Sequence, residues 1–274
     1  MPAVLLVVHP ERPAALDLAA KARQWWQDRG RSVVELSDSS DSGKGLLTGD
    51  LELAVSLGGD GTMLRAVELV APAGVPVLGV NLGRMGYLTE VEPSGIEDAF
   101  ERFVKGAYIV EERMALDVEI EGSAAGRHVA LNEAIVEKSE PGHTIRVAVE
   151  IAGRPFLTYA ADGLLVSTPT GSTAYNLSAR GPVVSPRLRA LVLTPISPHL
   201  VFDRSLVLEP EEWVRLTLLE SHGGVAVLDG SRVVPMKVGD RVTCKASARP
   251  ARFVSFGARD FHSVLRARFG LTDR

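Results

Sequence analysis

The sequence predicts a doubly wound α/β domain followed by an all-β domain, with the C-terminal segment packing back on the first. Three observations carry this. Apolar strand-like runs alternate with helical periodicities as far as residues 93–95, alternating β-rich runs take over beyond them, and residues 253–274 return to a strand and then helical spacing. The expected domains are residues 1–95 with 253–274, and residues 96–252.

Residues 3–8 are apolar and read as a buried strand, 13–29 as a helix stopped by Gly30, and 32–36 as a second strand, a βαβ opening. Residues 37–50 are rich in Ser, Asp and Gly and read as a loop that could order around ATP. A buried strand follows at 51–57, and then Met63, Leu64, Ala66, Val67, Val70 and Ala71 fall at helical spacing. Another strand, 75–80, ends at Asn81 and leads into the glycine-rich run 82–87. A helix is expected at 96–105. Strands are then expected at 115–120, 128–137, 145–151, 154–160, 164–166, 191–193, 213–219 and 241–245, separated by turn signals such as Ala152-Gly153, Gly223-Gly224 and Asp229-Gly230. In the tail, 253–256 is apolar, and Phe261, Val264, Leu265 and Phe269 have helical spacing.

The 274 residues suffice for one large or two ordinary domains, and 46% apolar with 23% charged residues is ordinary globular composition. A net charge of -4, with 30 basic residues scattered along the chain, leaves no electrostatic footprint for nucleic acid. The single cysteine, Cys244, cannot form an internal disulfide, and no apolar run approaches membrane-spanning length. Residues 4–8 are too short for a signal peptide and run into His9-Pro10. A cytoplasmic protein that binds neither nucleic acid nor membrane is expected. The six histidines show no metal-ligand spacing, and no metal-ligating residue is assigned.

The richest stretch is Leu57-Gly58-Gly59-Asp60-Gly61-Thr62, between a buried strand and a helix. A helix start offers unpaired N–H groups and the positive end of a dipole, and Gly58, Gly59, Gly61 and Thr62 would let phosphates approach that backbone. Asp60 repels phosphate unless it binds a bridging metal or takes a proton from an attacking hydroxyl, both phosphoryl-transfer roles. The plainer alternative is an Asp-Gly tight turn with Thr62 as helix cap. Neither G-x-G-x-x-G nor the Walker pattern is present, and Gly43-Lys44 lacks the glycine and hydroxyl that a Walker loop needs.

Two further segments stand out. Residues 161–178 run from a short apolar strand into dense hydroxyls, glycine and Tyr175, a composition that suits ribose hydroxyls and a stacked ring, or else a plain Ser/Thr turn cluster. Asn132-Glu133 interrupts an apolar strand, where an unpaired carboxylate is costly to bury, so it is either paired structurally or held for a ligand.

The order and spacing of the GGDGT turn, of Leu78-Gly79-Val80-Asn81-Leu82-Gly83-Arg84-Met85-Gly86-Tyr87-Leu88-Thr89, of Asn132-Glu133 and of residues 162–178 resemble the NAD kinase family over most of the chain. The GGDG turn is shared with lipid kinases, whereas Thr168-Pro169-Thr170-Gly171-Ser172-Thr173-Ala174-Tyr175 with the Asn-Glu pair is more specific. The resemblance implies phosphoryl transfer from ATP, or in some members polyphosphate, to the 2'-hydroxyl of the adenosine ribose of NAD, giving NADP. It implies Asp60 as catalytic acid/base, with Gly61 and Arg65 beside it. Asn132 and Glu133 would lie at the nicotinamide ribose side, and Asp162, Thr173, Ala174, Tyr175 and Ser178 around the acceptor nucleotide, joined by His143 and Ala160. It also implies a divalent cation, usually Mg2+, a β-sandwich-like second domain with the acceptor between the domains, and homodimers or homotetramers. On the residues alone, Arg65 could equally be a solvated arginine and His143 a turn residue. Ser231 follows Asp229-Gly230 where many members carry an amide, and Asn176 and Arg180 stand where serine and glycine are more usual; Asn176 is given no ligand role. A lipid or sugar kinase would explain Asp60 but not the Asn-Glu pair or the hydroxyl-rich loop. A dinucleotide sensor would explain the pocket but not the carboxylate.

Overall fold

The computed structural model describes residues 2–37, 50–83, 86–257 and 260–271. Most of the loop read at 37–50, with the Gly43-Lys44 pair, lies outside these residues, as do Arg84 and Met85. The chain divides into two compact units, residues 1–112 with 251–274 and residues 113–250.

The first unit is built on a six-stranded sheet in the order β2 (Ser32–Ser37), β1 (Ala3–Val8), β3 (Leu51–Gly58), β4 (Val77–Asn81), β18 (Ala251–Ser255), β5 (Ile109–Arg113). β1 pairs parallel with β2 and β3, and β4 pairs parallel with β3 and β18. Residues 4–8 of β1 and 53–58 of β3 are buried without interruption, as expected of strands covered on both faces. The chain moves to one side of β1 for β2 and to the other for β3, so the topological switch point lies at the carboxyl ends of β1 and β3.

Helix α1 (Pro13–Gln27) starts with proline in its first turn and buries Ala15, Leu18, Ala19, Ala22 and Trp26, a stripe at helical spacing. The chain leaves it through Gly30 at φ 74°, a left-handed conformation that favours glycine. α2 (Asp60–Val70) follows β3 directly.

The expected boundary after residue 95 moves to Glu112. Helix α3 (Ile96–Val104) buries Ile96, Ala99, Phe100 and Phe103 in the core of the first unit, where the Phe100 ring lies 4.9 Å from that of Trp26. β5, which carries no strong strand signal, then adds to the first sheet. The tail returns as expected, with β18 beside β4, followed by α5 (Phe261–Phe269), which Asp260 caps by accepting from Ser263 N at 3.1 Å.

The second unit is a sandwich of two six-stranded antiparallel sheets. One has the order β10 (Arg154–Ala161), β9 (Ile145–Ile151), β14 (Trp213–Glu220), β17 (Arg241–Ala246), β6 (Leu116–Glu121), β7 (Gly126–Ala130). The other has the order β13 (Leu206–Leu208), β12 (Leu191–Ile196), β11 (Gly163–Ser167), β8 (Glu133–Lys138), β15 (Gly224–Leu228), β16 (Arg232–Met236). Alternate residues such as Leu116, Val118 and Ile120 of β6 and Ile145, Val147 and Val149 of β9 share one core with Val136, Leu164, Val166 and Ala226 of the facing sheet.

The single strand expected at 128–137 is two strands in different sheets, β7 and β8, and the chain crosses between them at Leu131-Asn132. The apolar run looks continuous because both sheets face the same core. β13, β15 and β16 are further strands that the apolar patterning left unread.

Candidate active site

In the first unit the Gly-Asp-Gly segment is not a tight turn. Gly59 is the N-cap of α2, and Asp60 and Gly61 already lie in its first turn, with Met63 N donating to Gly59 O at 3.1 Å. The N-cap position is held by Gly59 and not by Thr62. Thr62 is buried against the turn, and a Cβ at Gly58 would lie 2.1 Å from its Oγ1. The N–H groups of Asp60, Gly61 and Thr62 precede the first intrahelical bond, and open space lies over Gly59 and Gly61. The segment therefore presents glycine backbone and a helix start at the switch point of a parallel sheet, an arrangement suited to phosphate.

Asp60 is held from the far side. Its Oδ2 accepts from Tyr87 N at 3.0 Å and its Oδ1 from Leu88 N at 3.1 Å. A Cβ at Gly86 would lie 2.2 Å from Oδ1, so glycine there lets the two segments close on the carboxylate. Both oxygens keep a lone pair with which to take a proton. Beside it Asn81, buried at the end of β4, pairs with Gly58 in register and accepts from Gly83 N at 3.2 Å. Arg65 is neither a solvated arginine nor turned loose toward a ligand. Its guanidinium pairs with Glu68 at 2.6 Å, and the two side chains are only 11% and 17% exposed.

In the second unit the hydroxyl-rich loop divides between the two readings its composition left open. Ser167, Thr168 and Ser172 turn inward and spend their hydroxyls on the backbone: Thr168 Oγ1 donates to Leu131 O at 2.6 Å and accepts from Gly171 N at 3.0 Å, and Ser172 Oγ donates to Pro169 O at 2.7 Å and accepts from Val184 N at 2.9 Å. Their role is to knit the loop to residues 131–132, and the groups left accessible are Thr173, Ala174, Tyr175 and Ser178. Gly171 lies at the tightest point, where a Cβ would sit 2.1 Å from Asn132 O. Gly171→Ala is expected to destabilise the protein by about 2–3 kcal/mol, since backbone must yield, and chemical unfolding measures it.

The short helix α4 (Tyr175–Ser178) ends in a Schellman motif, with Gly181 N donating to Asn176 O at 2.8 Å and Arg180 N to Leu177 O at 3.0 Å. Arg180 stands at φ 64°, which explains why glycine suits this position. Arg180→Gly is expected to raise stability by roughly 0.5–1 kcal/mol, the relief of left-handed strain less the added freedom of the unfolded chain; an unchanged or lower unfolding midpoint would contradict this. Asn176 is fully buried and bonds Ser172 O, Pro182 O and the Thr194 hydroxyl, a purely internal role.

Glu133 opens β8 and is 4% exposed; its Oε2 is buried with no hydrogen-bond partner among the described residues. Burial first, and then the charge of Asp229, push its carboxyl up to about 8, against which the Tyr175 N–H donates to it. Asp229, read from sequence only as a turn signal, accepts from Leu131 N, Asn132 N and Glu133 N at 2.8, 2.7 and 3.1 Å. Tyr175 is 38% exposed, and burial followed by the charges of Glu137, Asp162 and Glu133 raises its phenol above the usual range. Asp162 itself pairs with Lys138 at 2.5 Å.

The structure thus gathers Asn132, Glu133, Asp162 and Tyr175 with Thr173 and Ala174. Ala160 lies on β10, its carbonyl accepting from His199 N at 2.8 Å. His143 is exposed and stacks on His222 with ring centroids 4.1 Å apart, a neighbour that no sequence signal indicated.

Residues 4–108 match the ATP-NAD kinase N-terminal domain and residues 131–256 the ATP-NAD kinase C-terminal domain. The chain is 43% identical over 276 residues to the NAD kinase of Heliobacterium modesticaldum, spanning 97% of this chain and 98% of that one. It is 36% identical over 295 residues to the NAD kinase of Nocardia farcinica, spanning 98% and 91%. Among solved structures, an NAD kinase from Archaeoglobus fulgidus in complex with ATP superposes with a TM-score of 0.75 at 28% identity, covering 98% of both chains. Yeast NADH kinase complexed with NADH shares the fold, with a TM-score of 0.82 at 22% identity over 100% of this chain and 89% of that one. With both domains matched in order and relatives aligned along nearly its whole length, the chain belongs to the ATP-NAD kinase family.

Proposed function

We propose that Asp60 is the general base of NAD phosphorylation, taking the proton of the 2'-hydroxyl of the adenosine ribose as that oxygen attacks the γ-phosphorus of ATP. The oxygen–phosphorus bond to the acceptor forms, the bond to the β-phosphate bridging oxygen breaks, and NADP and ADP leave. The observation that carries this is the carboxylate fixed at the first turn of α2 by the Tyr87 and Leu88 N–H groups, beside glycine backbone open to phosphates. A ribose hydroxyl is a poor nucleophile near neutral pH, so a held base contributes roughly 10²- to 10⁴-fold.

ATP is the donor, and its phosphates meet Gly58, Gly59, Gly61 and Thr62. Asn132, Glu133, Asp162, Thr173, Ala174, Tyr175 and Ser178 hold the dinucleotide, the Tyr175 ring by stacking. Mg2+ accompanies ATP as part of the substrate and neutralises phosphate charge. The family resemblance further suggests a cytoplasmic homodimer or homotetramer, which light scattering of the purified protein decides. The activity test is formation of NADP and ADP in equal amounts from NAD and ATP, for the wild type and for Asp60→Asn with NAD binding measured in parallel. An equally active Asp60→Asn would sink the base assignment, and NAD binding without any NADP from the wild type would favour a sensor.

A further inference from the structure

Where the chain crosses from β7 to β8, residues 131 and 132 lie between two ladders, and their N–H groups need acceptors from elsewhere. Asp229, in the turn between β15 and β16, supplies them. Its carboxylate takes three consecutive N–H groups, from Leu131, Asn132 and Glu133, and its own N–H donates to Glu133 O at 3.1 Å. The residue stands at φ 48°, a left-handed conformation that aspartate tolerates better than most side chains, and bonds to an ionised acceptor are the stronger kind. The residue so fixed, Glu133, has a buried Oε2 that no described group satisfies, the mark of an atom kept for a ligand.

We propose that Asp229 is a positioning residue for the acceptor dinucleotide: its carboxylate fixes Asn132 and Glu133 at the sheet crossing, where Glu133 meets the ligand. This rests on Glu133 holding NAD, and not on Asp60 being the base. Burial and the Asp229 charge keep Glu133 protonated near neutral pH. A protonated Glu133 donates from its hydroxyl to a ribose oxygen and adds no repulsion to the pyrophosphate of the dinucleotide.

Among the described residues the charge acting on Glu133 is that of Asp229, and Glu133 in turn acts on the Tyr175 phenol of α4, as do Glu137 and Asp162, the latter paired with Lys138. On β11 the residue opposite Glu133 is Ser167, and on β16 Arg232 stands across from Leu228.

The test is steady-state kinetics from about pH 6 to 9 on the wild type, D229N, D229G, E133Q and the D229N/E133Q double variant. D229N keeps the left-handed backbone but turns an NH2 toward N–H donors. It is expected to raise KM for NAD about tenfold while leaving KM for ATP and kcat within about threefold. Removing the Asp229 charge lets Glu133 ionise sooner, so the alkaline fall in kcat/KM for NAD should move about one pH unit lower. That fall should vanish in E133Q, and D229N should move nothing further in the double variant. D229G, which suits φ 48° and removes the acceptor altogether, gives the same KM signature should D229N fail to fold.

An alkaline limb retained in E133Q, an unmoved KM for NAD, or equal rises in both KM values would overturn the proposal. Absence of NADP from the wild type would instead sink the reading beneath it.

Discussion

Asp60→Asn is expected to slow NADP formation by roughly 10²- to 10⁴-fold while changing NAD affinity by less than about threefold. The substitution is nearly isosteric, which matters because Gly86 leaves no spare room around Oδ1. The amide oxygen still accepts from one of the Tyr87 and Leu88 N–H groups, but its NH2 then faces the other donor, and the loss of that bond destabilises by about 1–2 kcal/mol. The folded variant thus keeps its glycine backbone and helix start and loses the group that can take a proton. Single-turnover measurements at saturating NAD and ATP separate the chemical step from binding. A variant within about tenfold of the wild type in that step would remove Asp60 from the role of base.

The second large effect is on stability. The carboxyl of Glu133 is raised from 4.5 to about 8 in the fold, so between those values the folded protein keeps a proton that the unfolded chain gives up. For a raised group, the stabilisation is fully present below the unfolded value and is lost as pH rises through the folded one. Each unit in that window costs about 1.4 kcal/mol, and the whole window ~3–5 kcal/mol. The ligand-free wild type should therefore lose stability relative to Glu133→Gln as pH rises from about 5 to 8, because glutamine has no proton to lose. Chemical unfolding of both proteins at the two ends of that range isolates the contribution of Glu133. Parallel pH dependences would mean that Glu133 is not held protonated in the fold.

Most of the scaffold was legible because parallel strands covered on both faces leave unbroken apolar runs, and α1 carries its buried stripe at regular spacing. The misplaced boundary had a physical cause: α3 looks the same in sequence whichever core receives Ile96, Phe100 and Phe103, and only tertiary packing on Trp26 assigns it. The sheet crossing at Leu131-Asn132 was hidden for a related reason, since one core faces both sheets and the hydrophobic pattern does not change across the gap.

Among the candidate residues, the motifs single out Asp60, Glu133 and Tyr175, but composition could not say which hydroxyls point inward. Ser167, Thr168 and Ser172 look like ligand groups in sequence and are loop framework in three dimensions. The partnership of Asp229 with residues almost a hundred positions earlier in the chain leaves no local signal at all.

The return of β18 to a sheet whose other strands were made long before has a bearing on biosynthesis. β4 is buried throughout, and its neighbour on one side is the strand at Ala251–Ser255. On a ribosome adding about 5–20 residues per second, the chain between them takes on the order of ten to thirty seconds to appear. During that interval the second unit, whose strands lie within residues 113–250, can fold on its own, whereas the nascent first sheet waits with an open edge at β4. The strand at Ala251–Ser255 thus reaches the β4 edge long after β4 was made, and the first sheet is complete only when that strand pairs there and joins β5 to the rest.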